Sequence, residues 1–316
     1  MRYRITHVTT YDYFATVPFA DCRLRLTPAS RDGQTLVSTE ISVEPRPEHT
    51  AIEVDWFGNR VTRVSFRVPH RRLTIRQTAL VDIVPRALPV AQTTPPFEVV
   101  RDAVPLGRAL SPDAPVHYVF PSRFVPLAEP IESYARKSFP AGRPILAGAI
   151  ELARRIKADF VYDPTATDVA TPLAAAFATR RGVCQDFAQV MISGLRSLGI
   201  GAAYVSGYLR TEPPPGRPRL EGADATHAWV DVWCGETLGW IGIDPTNGIL
   251  VGTDHIAIGR GRDYADVAPV TGVVTSAGGQ GLSVGVDVVE VPVITEATAR
   301  TGGSERPTQA DAAVRW

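Results

Sequence analysis

From Tyr3 to about Val84, apolar and polar positions alternate with a period of two. Tyr3, Ile5, His7, Thr9 and Tyr11 share one parity, and Cys22, Leu24 and Leu26, then Val37, Thr39, Ile41 and Val43, repeat it. Trp56-Phe57-Gly58-Asn59 closes a strand in a turn. Val61, Val64, Phe66 and Val68 resume the pattern, and Leu73, Ile75, Thr78 and Leu80 to Val84 complete it. Successive strand side chains point to opposite faces, so six or seven short strands are expected, the layout of an antiparallel β-sandwich over residues 1–90. His7, His49 and His70 lie in it without ligand spacing and read as structural or surface side chains.

Between Pro85 and Pro130 ten prolines exclude long regular elements, and residues 91–130 read as a connection lying over a surface. Helical spacing follows, over residues 131–137 and more strongly over 145–158, where Leu146, Ile150, Ala153 and Lys157 form a stripe. Phe160 to Pro164 reads as a short strand and exit, and Thr171 before Pro172 as the start of a short helix through Phe177. Strands are expected at 202–209, 227–233, 239–244 and 282–289, and the core is assigned to residues 131–293. Thr211–Asp224 is expected to be an exposed, mobile loop near the site, and residues 294–316 a flexible tail.

Chemistry concentrates in Arg180–Leu198. Cys184, Phe187, Ala188, Met191, Leu195 and Leu198 recur at helical spacing, and Gly199 sits where a left-handed residue would end the helix. Cys184 then falls in the first turn, where free backbone N–H groups and the helix dipole favour a thiolate. Further on, His227, Trp229, Asp231 and Trp233 share one face of a strand, while Trp240, Gly242 and Asp244 share a parity in the next. A two-residue turn at Gly235-Glu236 would set His227 opposite Asp244 and Gly242 opposite Trp229, leaving room for the indole. A histidine braced by a carboxylate can take the proton of a helix-terminal thiol, so Cys184, His227 and Asp244 are the expected nucleophile, base and orienting acid.

The 33 basic and 33 acidic residues cancel, so nothing global suggests nucleic acid or an anionic membrane as partner. No window approaches the apolar run of about 18 residues a membrane span needs, and M-R-Y-R-I-T-H lacks a signal-peptide layout. Cys22, Cys184 and Cys234, odd in number and far apart, argue against disulfides, and a cytoplasmic location is expected. Cys184, His227, Asp244 and His255 could also be taken as metal ligands. The chain has no CxxC, HxxxH or HExxH pair, however, and no phosphate-binding glycine loop, so neither metal nor cofactor is expected.

The segments R-G-V-C-Q-D-F-A (181–188), T-H-A-W-V-D-V (226–232) and G-W-I-G-I-D-P-T-N (239–247) resemble the transglutaminase-like superfamily in its bacterial two-domain branch. Y-V-S-G-Y (204–208), G-R-D-Y-A-D-V (261–267) and Y-R-I-T-H-V-T-T-Y-D-Y (3–13) fit that branch as well. The resemblance implies an α+β protein, an N-terminal antiparallel β-sandwich followed by a papain-like core. In it Cys184 is the nucleophile, His227 the acid/base and Asp244 its orienter, and a thioester forms from an amide or peptide carbonyl of a peptide or protein substrate. Animal transglutaminases carry Gly-Gln before the cysteine and tryptophan after it. Here Gly182-Val183 precede Cys184 and Gln185-Asp186 follow, so protein cross-linking is not implied. The backbone N–H of Cys184 is a candidate oxyanion donor, and a second stays unassigned, since Ala178 occupies the place where papain-like enzymes carry glutamine. Gln185, Trp229, Trp240 and Tyr264 are candidate substrate contacts, and Asp186 is either a helix-dipole partner or another such contact. The alternative reading is a non-catalytic peptide-binding module on the same fold.

Overall fold

The computed structural model describes residues 1–104, 110–211 and 225–292. The first part is built as expected from alternation: β1 (Arg2–Val17), β2 (Phe19–Leu24), β3 (Gln34–Glu44), β4 (His49–Val54), β5 (Arg60–Phe66) and β6 (His70–Ile83). Helices α1 (Phe97–Ala103), α2 (Glu129–Arg136), α3 (Ile145–Asp159), α4 (Leu173–Thr179) and α5 (Cys184–Ser197) follow, with the two-residue strands β7 (Val161–Tyr162) and β8 (Arg181–Gly182) among them. The chain then runs through β9 (Ala202–Leu209), β10 (Ala225–Trp233), β11 (Trp240–Asp244), β12 (Ile249–Leu250) and β13 (His255–Gly261), a short helix α6 (Tyr264–Val267), β14 (Val270–Thr275) and β15 (Gln280–Val291).

The last two strands do not belong where the sequence puts them. β15 pairs with β1, from Arg2 opposite Val291 to Tyr13 opposite Gln280, and β14 pairs with β2. The sandwich is therefore two four-stranded sheets, β15-β1-β6-β3 and β14-β2-β5-β4, and the expected core boundary of 131–293 is displaced. Alternation marks a strand but does not name its partner, so proximity in sequence misassigned residues 270–291. Much of the expected 211–224 loop and the 294–316 tail lie outside the described residues.

The sheet containing β1 serves two partners along its length. At one end Tyr13, Val17, Leu73 and Ile75 pack against Leu24, Val64 and Phe66 inside the sandwich. At the other, Tyr3, Ile5, Ala79, Val81 and Val288 pack against Tyr208, Ile256 and Ile258 of a second, five-stranded sheet, β12-β11-β10-β9-β13. His7 sits fully buried near this seam, one ring nitrogen 2.8 Å from the Tyr208 hydroxyl and the other 2.8 Å from that of Thr9. Burial pushes its pKa down from 6.5 to about 4, so the neutral ring is the native form. The unfolded chain binds a proton that the native chain refuses, so this contribution to stability is present above pH 6.5 and is lost as pH falls toward 4. Urea unfolding at pH 7 and pH 4.5 is expected to show His7→Gln losing less on acidification than the wild type, by up to about 3 kcal/mol. An unchanged difference between the two pH values would contradict this.

On its other face the five-stranded sheet carries α5, which is buried over its whole length from Asp186 to Arg196 rather than along one stripe. Ala228, Val230 and Val232 of β10 meet Phe187, Ala188, Met191 and Leu195, with α2, α3 and α4 packed beyond them. α2 approaches so closely that a Cβ on Gly194 would stand 2.7 Å from that of Ala135. Arg196 is buried among carbonyls, donating to Ala202, Phe120 and Arg262, and so ties the proline-rich connection to the helix. The 145–158 helix forms, but it buries Leu146, Ala149, Leu152, Ala153 and Ile156, while Ile150 is half-buried and Lys157 exposed. The short helix before Cys184 begins one residue later than expected. Pro172 takes the N-cap place, and the Thr171 hydroxyl accepts from the Asp168 N–H instead. No described helix is long and apolar enough to cross a membrane.

Candidate active site

The approach to Cys184 is held by side chains that recognise the backbone. α4 ends at Arg180, a left-handed residue (φ 54°) whose guanidinium lies over Phe177 at 3.8 Å, Tyr134 at 4.6 Å and Phe160 at 4.7 Å. Cation–π contact with three rings offsets the strain of that conformation. The chain then pairs as β8 with β7, in parallel, and reaches the N-cap Val183. Asp186 Oδ2 accepts from the Val183 N–H at 2.8 Å and from the Thr167 hydroxyl at 2.7 Å. That is one half of a capping box, with a carboxylate at the positive end of the helix. Gly182 is required because a Cβ there would fall 2.4 Å from Asp186 Oδ2. Asp186 is thus spent on building the turn. Cys184 follows as the first helical residue, half-buried, and Gly199 ends the helix at φ 75° as expected.

His227 and Asp244 meet, but not by the register expected. Trp233 pairs with Trp240 and Asp231 with Gly242, so Asp244 falls two positions from the residue opposite His227. The connection is longer than a two-residue turn: Cys234 N–H donates to Gly239 O, and Leu238 and Gly239 N–H both donate to Gly235 O. A shift of two preserves the face, and a diagonal pair remains within reach of an imidazole and a carboxylate. His227 Nε2 stands 2.8 Å from Asp244 Oδ2. The glycine that makes room for Trp229 is Gly207 on β9, not Gly242. A Cβ on Gly207 would meet the indole at 2.3 Å, whereas one on Gly242 would meet Val251 at 2.7 Å.

Asp244 is fully buried yet well supplied with donors. Its Oδ1 accepts from the Thr246 and Asn247 N–H groups at 2.8 and 3.1 Å. Oδ2 accepts from Asn247 Nδ2 at 2.7 Å as well as from His227, and it lies 3.2 Å from His255 Nε2. Burial alone would raise the pKa of this carboxyl group, but the hydrogen bonds from His227, His255 and Asn247 hold it well below the usual carboxylate range. Burial likewise depresses His227, and the bonds to Asp244 and then Cys184 outweigh it, lifting the imidazole to about 9. With Nε2 taken by Asp244, Nδ1 is the nitrogen left for the thiol. The three side chains can therefore pass a proton from sulfur to an imidazole whose cationic form a buried carboxylate stabilises.

His227, Asp244 and His255 also bring three ligand-type atoms within 4.8 Å of one another. Both ring nitrogens stand at hydrogen-bond distance from a single carboxylate oxygen, which is the geometry of shared protons rather than of three donors turned to a common centre.

The remaining candidates separate. Trp229 is buried beside His227, ring centres 6.3 Å apart, and lines a cavity of about 270 Å³ behind the sheet with Arg31, Asp32, Arg86 and Asp231. Trp240 lies at the far end of the hairpin, roughly 20 Å of strand from His227. It packs on Trp233 and Tyr118 and donates to Asp113 O, so it is a core residue and not a wall of the site. Tyr264 is half-buried in α6, 6.3 Å from the ring of Tyr204, which in turn interacts electrostatically with Cys184. Gln185 is half-buried next to the cysteine. Residues missed in the sequence are Asn247, Tyr204, Arg180 and the bracing role of His255. Asn247, three residues after Asp244 in a D-P-T-N-G turn, was the one with a local signal.

The model for the bacterial transglutaminase-like N-terminal region matches residues 3–82, and that for the transglutaminase-like superfamily matches residues 133–245. The chain belongs to the transglutaminase-like superfamily. An uncharacterized protein of Mycobacterium tuberculosis is 38% identical over 292 residues, covering 91% of this chain and 92% of its own. Another, from Mycobacterium leprae, is 30% identical over 293 residues, covering 92% and 99%. Among solved structures, a proposed cysteine protease from Cytophaga hutchinsonii superposes with a TM-score of 0.71 over 93% of this chain and 92% of its own, at 20% identity. The transglutaminase-like fold therefore extends over both the sandwich and the core.

Proposed function

We propose that the protein is a cysteine-dependent acyl-transfer enzyme that acts on amide or peptide carbonyls through a thioester, with Cys184 as nucleophile, His227 as acid/base and Asp244 as its orienter. The observation that carries this reading is the 2.8 Å contact between His227 Nε2 and a buried Asp244 carboxylate, with Cys184 at the start of α5 near enough to help raise the pKa of the same imidazole. The thiol proton is transferred to His227 Nδ1 before sulfur attacks the carbonyl carbon, and the Cys184 backbone N–H faces the developing oxyanion. The C–N bond then breaks, and the imidazolium gives its proton to the departing amine or ammonia. Water or a second amine attacks the thioester, losing a proton to His227, and the thiol is restored. These steps use only the three side chains and the backbone, without metal or cofactor, and the substrate is a peptide or protein amide.

Intact-mass measurement with a peptide-amide library is expected to show an acyl adduct on Cys184 and release of ammonia or amine, both absent in Cys184→Ala. If wild type and Cys184→Ala behave alike in every transfer and hydrolysis assay while both bind peptide, the protein is a binding module instead.

A further inference from the structure

We propose that His255 is a positioning residue for the triad, a neutral imidazole that fixes Asp244 from outside its local turn and through which the N-terminal sandwich supports the site. This rests on the Cys184–His227–Asp244 reading. His255 opens β13 and is buried. Its Nδ1 lies 3.3 Å from the Gly252 N–H, which can only donate, so Nδ1 is the acceptor and the ring proton is on Nε2. That Nε2–H faces Asp244 Oδ2 at 3.2 Å. An imidazolium in this place would set Nδ1–H against the Gly252 N–H, so the surroundings select an uncharged donor. A neutral donor satisfies the carboxylate without cancelling its charge, which stays available to His227.

The ring itself is clamped. It stands edge-on to Trp229, centres 5.3 Å apart at 85°, and Trp229 is in turn confined by Gly207. Two residues along β13, Ala257 is held to the sandwich through Gln34, whose Oε1 accepts from the Ala257 N–H at 2.9 Å and whose Nε2 donates to Ala257 O at 2.8 Å. Asp244 is thus gripped by Thr246 and Asn247 from its own turn and by His255 from a strand anchored on the other domain. Asp244 and His227 touch His255, and Arg31, Asp32, Arg86 and Asp231 line the cavity that its ring also faces. Its neighbour Asp254 turns away to Arg210 at 2.6 Å.

The test is the pH–rate profile of Cys184 alkylation by iodoacetamide in the full chain, which needs no knowledge of the substrate. His255→Phe, which keeps ring volume but not the donor, is expected to slow the reaction at pH 7 roughly 10- to 100-fold and to move the profile toward that of His227→Ala. His255→Gln, able to donate to Asp244 and accept from Gly252, is expected to keep the wild-type profile. In a His227→Ala background, adding His255→Phe should change nothing further, because His255 acts through His227. If His255→Phe does not fold, His255→Asn, too short to reach Asp244, serves in its place with the same expectation. A shifted profile for His227→Ala with wild-type profiles for His255→Phe and His255→Asn overturns the proposal alone. Identical profiles for wild type and His227→Ala overturn the triad reading beneath it. Stoichiometric zinc in the purified protein, lost in His255→Phe, would also overturn the proposal by making the ring a ligand.

Discussion

At pH 7, Cys184 is expected to react with iodoacetamide at least about a thousandfold faster than Cys22 or Cys234. Burial pushes the Cys22 thiol up to about 11, and Cys234, whose sulfur faces Val232 O at 3.6 Å, to about 12. Their thiolate fractions at pH 7 are therefore on the order of 10⁻⁴ and 10⁻⁵, before their enclosure is counted. Cys184 is partly open to solvent, stands at a helix start and lies near enough to His227 to help raise its pKa. His227→Ala is expected to slow its alkylation roughly tenfold or more, by removing the opposite charge beside sulfur. Because the pKa of His227 is raised from 6.5 to about 9, the imidazolium is present in full at pH 6.5 and is lost as pH rises through 9. The advantage of wild type over His227→Ala should follow the same course. Peptide mapping after timed labelling measures each rate, and equal rates at the three cysteines would sink the idea of an activated nucleophile.

The largest effect on stability is expected at Gly207. It lies in the interior strand β9, directly across from His227 on β10 and opposite Ala257 on β13. A Cβ at this point would stand 2.3 Å from the carbonyl oxygen of Ile256 and 2.3 Å from the indole of Trp229. Neither neighbour can retreat, since one is backbone of a paired strand and the other is buried between two histidines. Gly207→Val is expected to cost about 3 kcal/mol or more, a fall in Tm of roughly 6–12 °C. Gly252→Ala, where a Cβ meets nothing within 4 Å, is the control and should leave Tm unchanged. A Gly207→Val protein melting with the wild type would show that the sheet yields here.

Much of the site was legible because two of its members sit at chain features that sequence encodes locally. A glycine turn before a periodic helix locates Cys184, and strand parity puts His227 and Asp244 on one face whatever the register. The register itself depended on the turn between them, and a loop two residues longer moved every cross-strand partner while leaving parity intact. Parity also could not say where along the strand a residue acts, so Trp240 looked equivalent to Trp229 though it lies at the other end of the hairpin. The contact of His255 with Asp244 crosses from β13 without any spacing that marks it. For the same reason residues 270–291 read as strands but not as members of the first domain.

That return of β14 and β15 bears on how the polypeptide emerges from the ribosome. β1 is made long before β15, yet one of its edges is covered only when residues 280–291 appear. The N-terminal domain is therefore not an early-folding unit that waits for the second part to follow. Until those residues appear its long strands keep an open edge, the condition in which nascent β-structure is most exposed to pairing with the wrong neighbour.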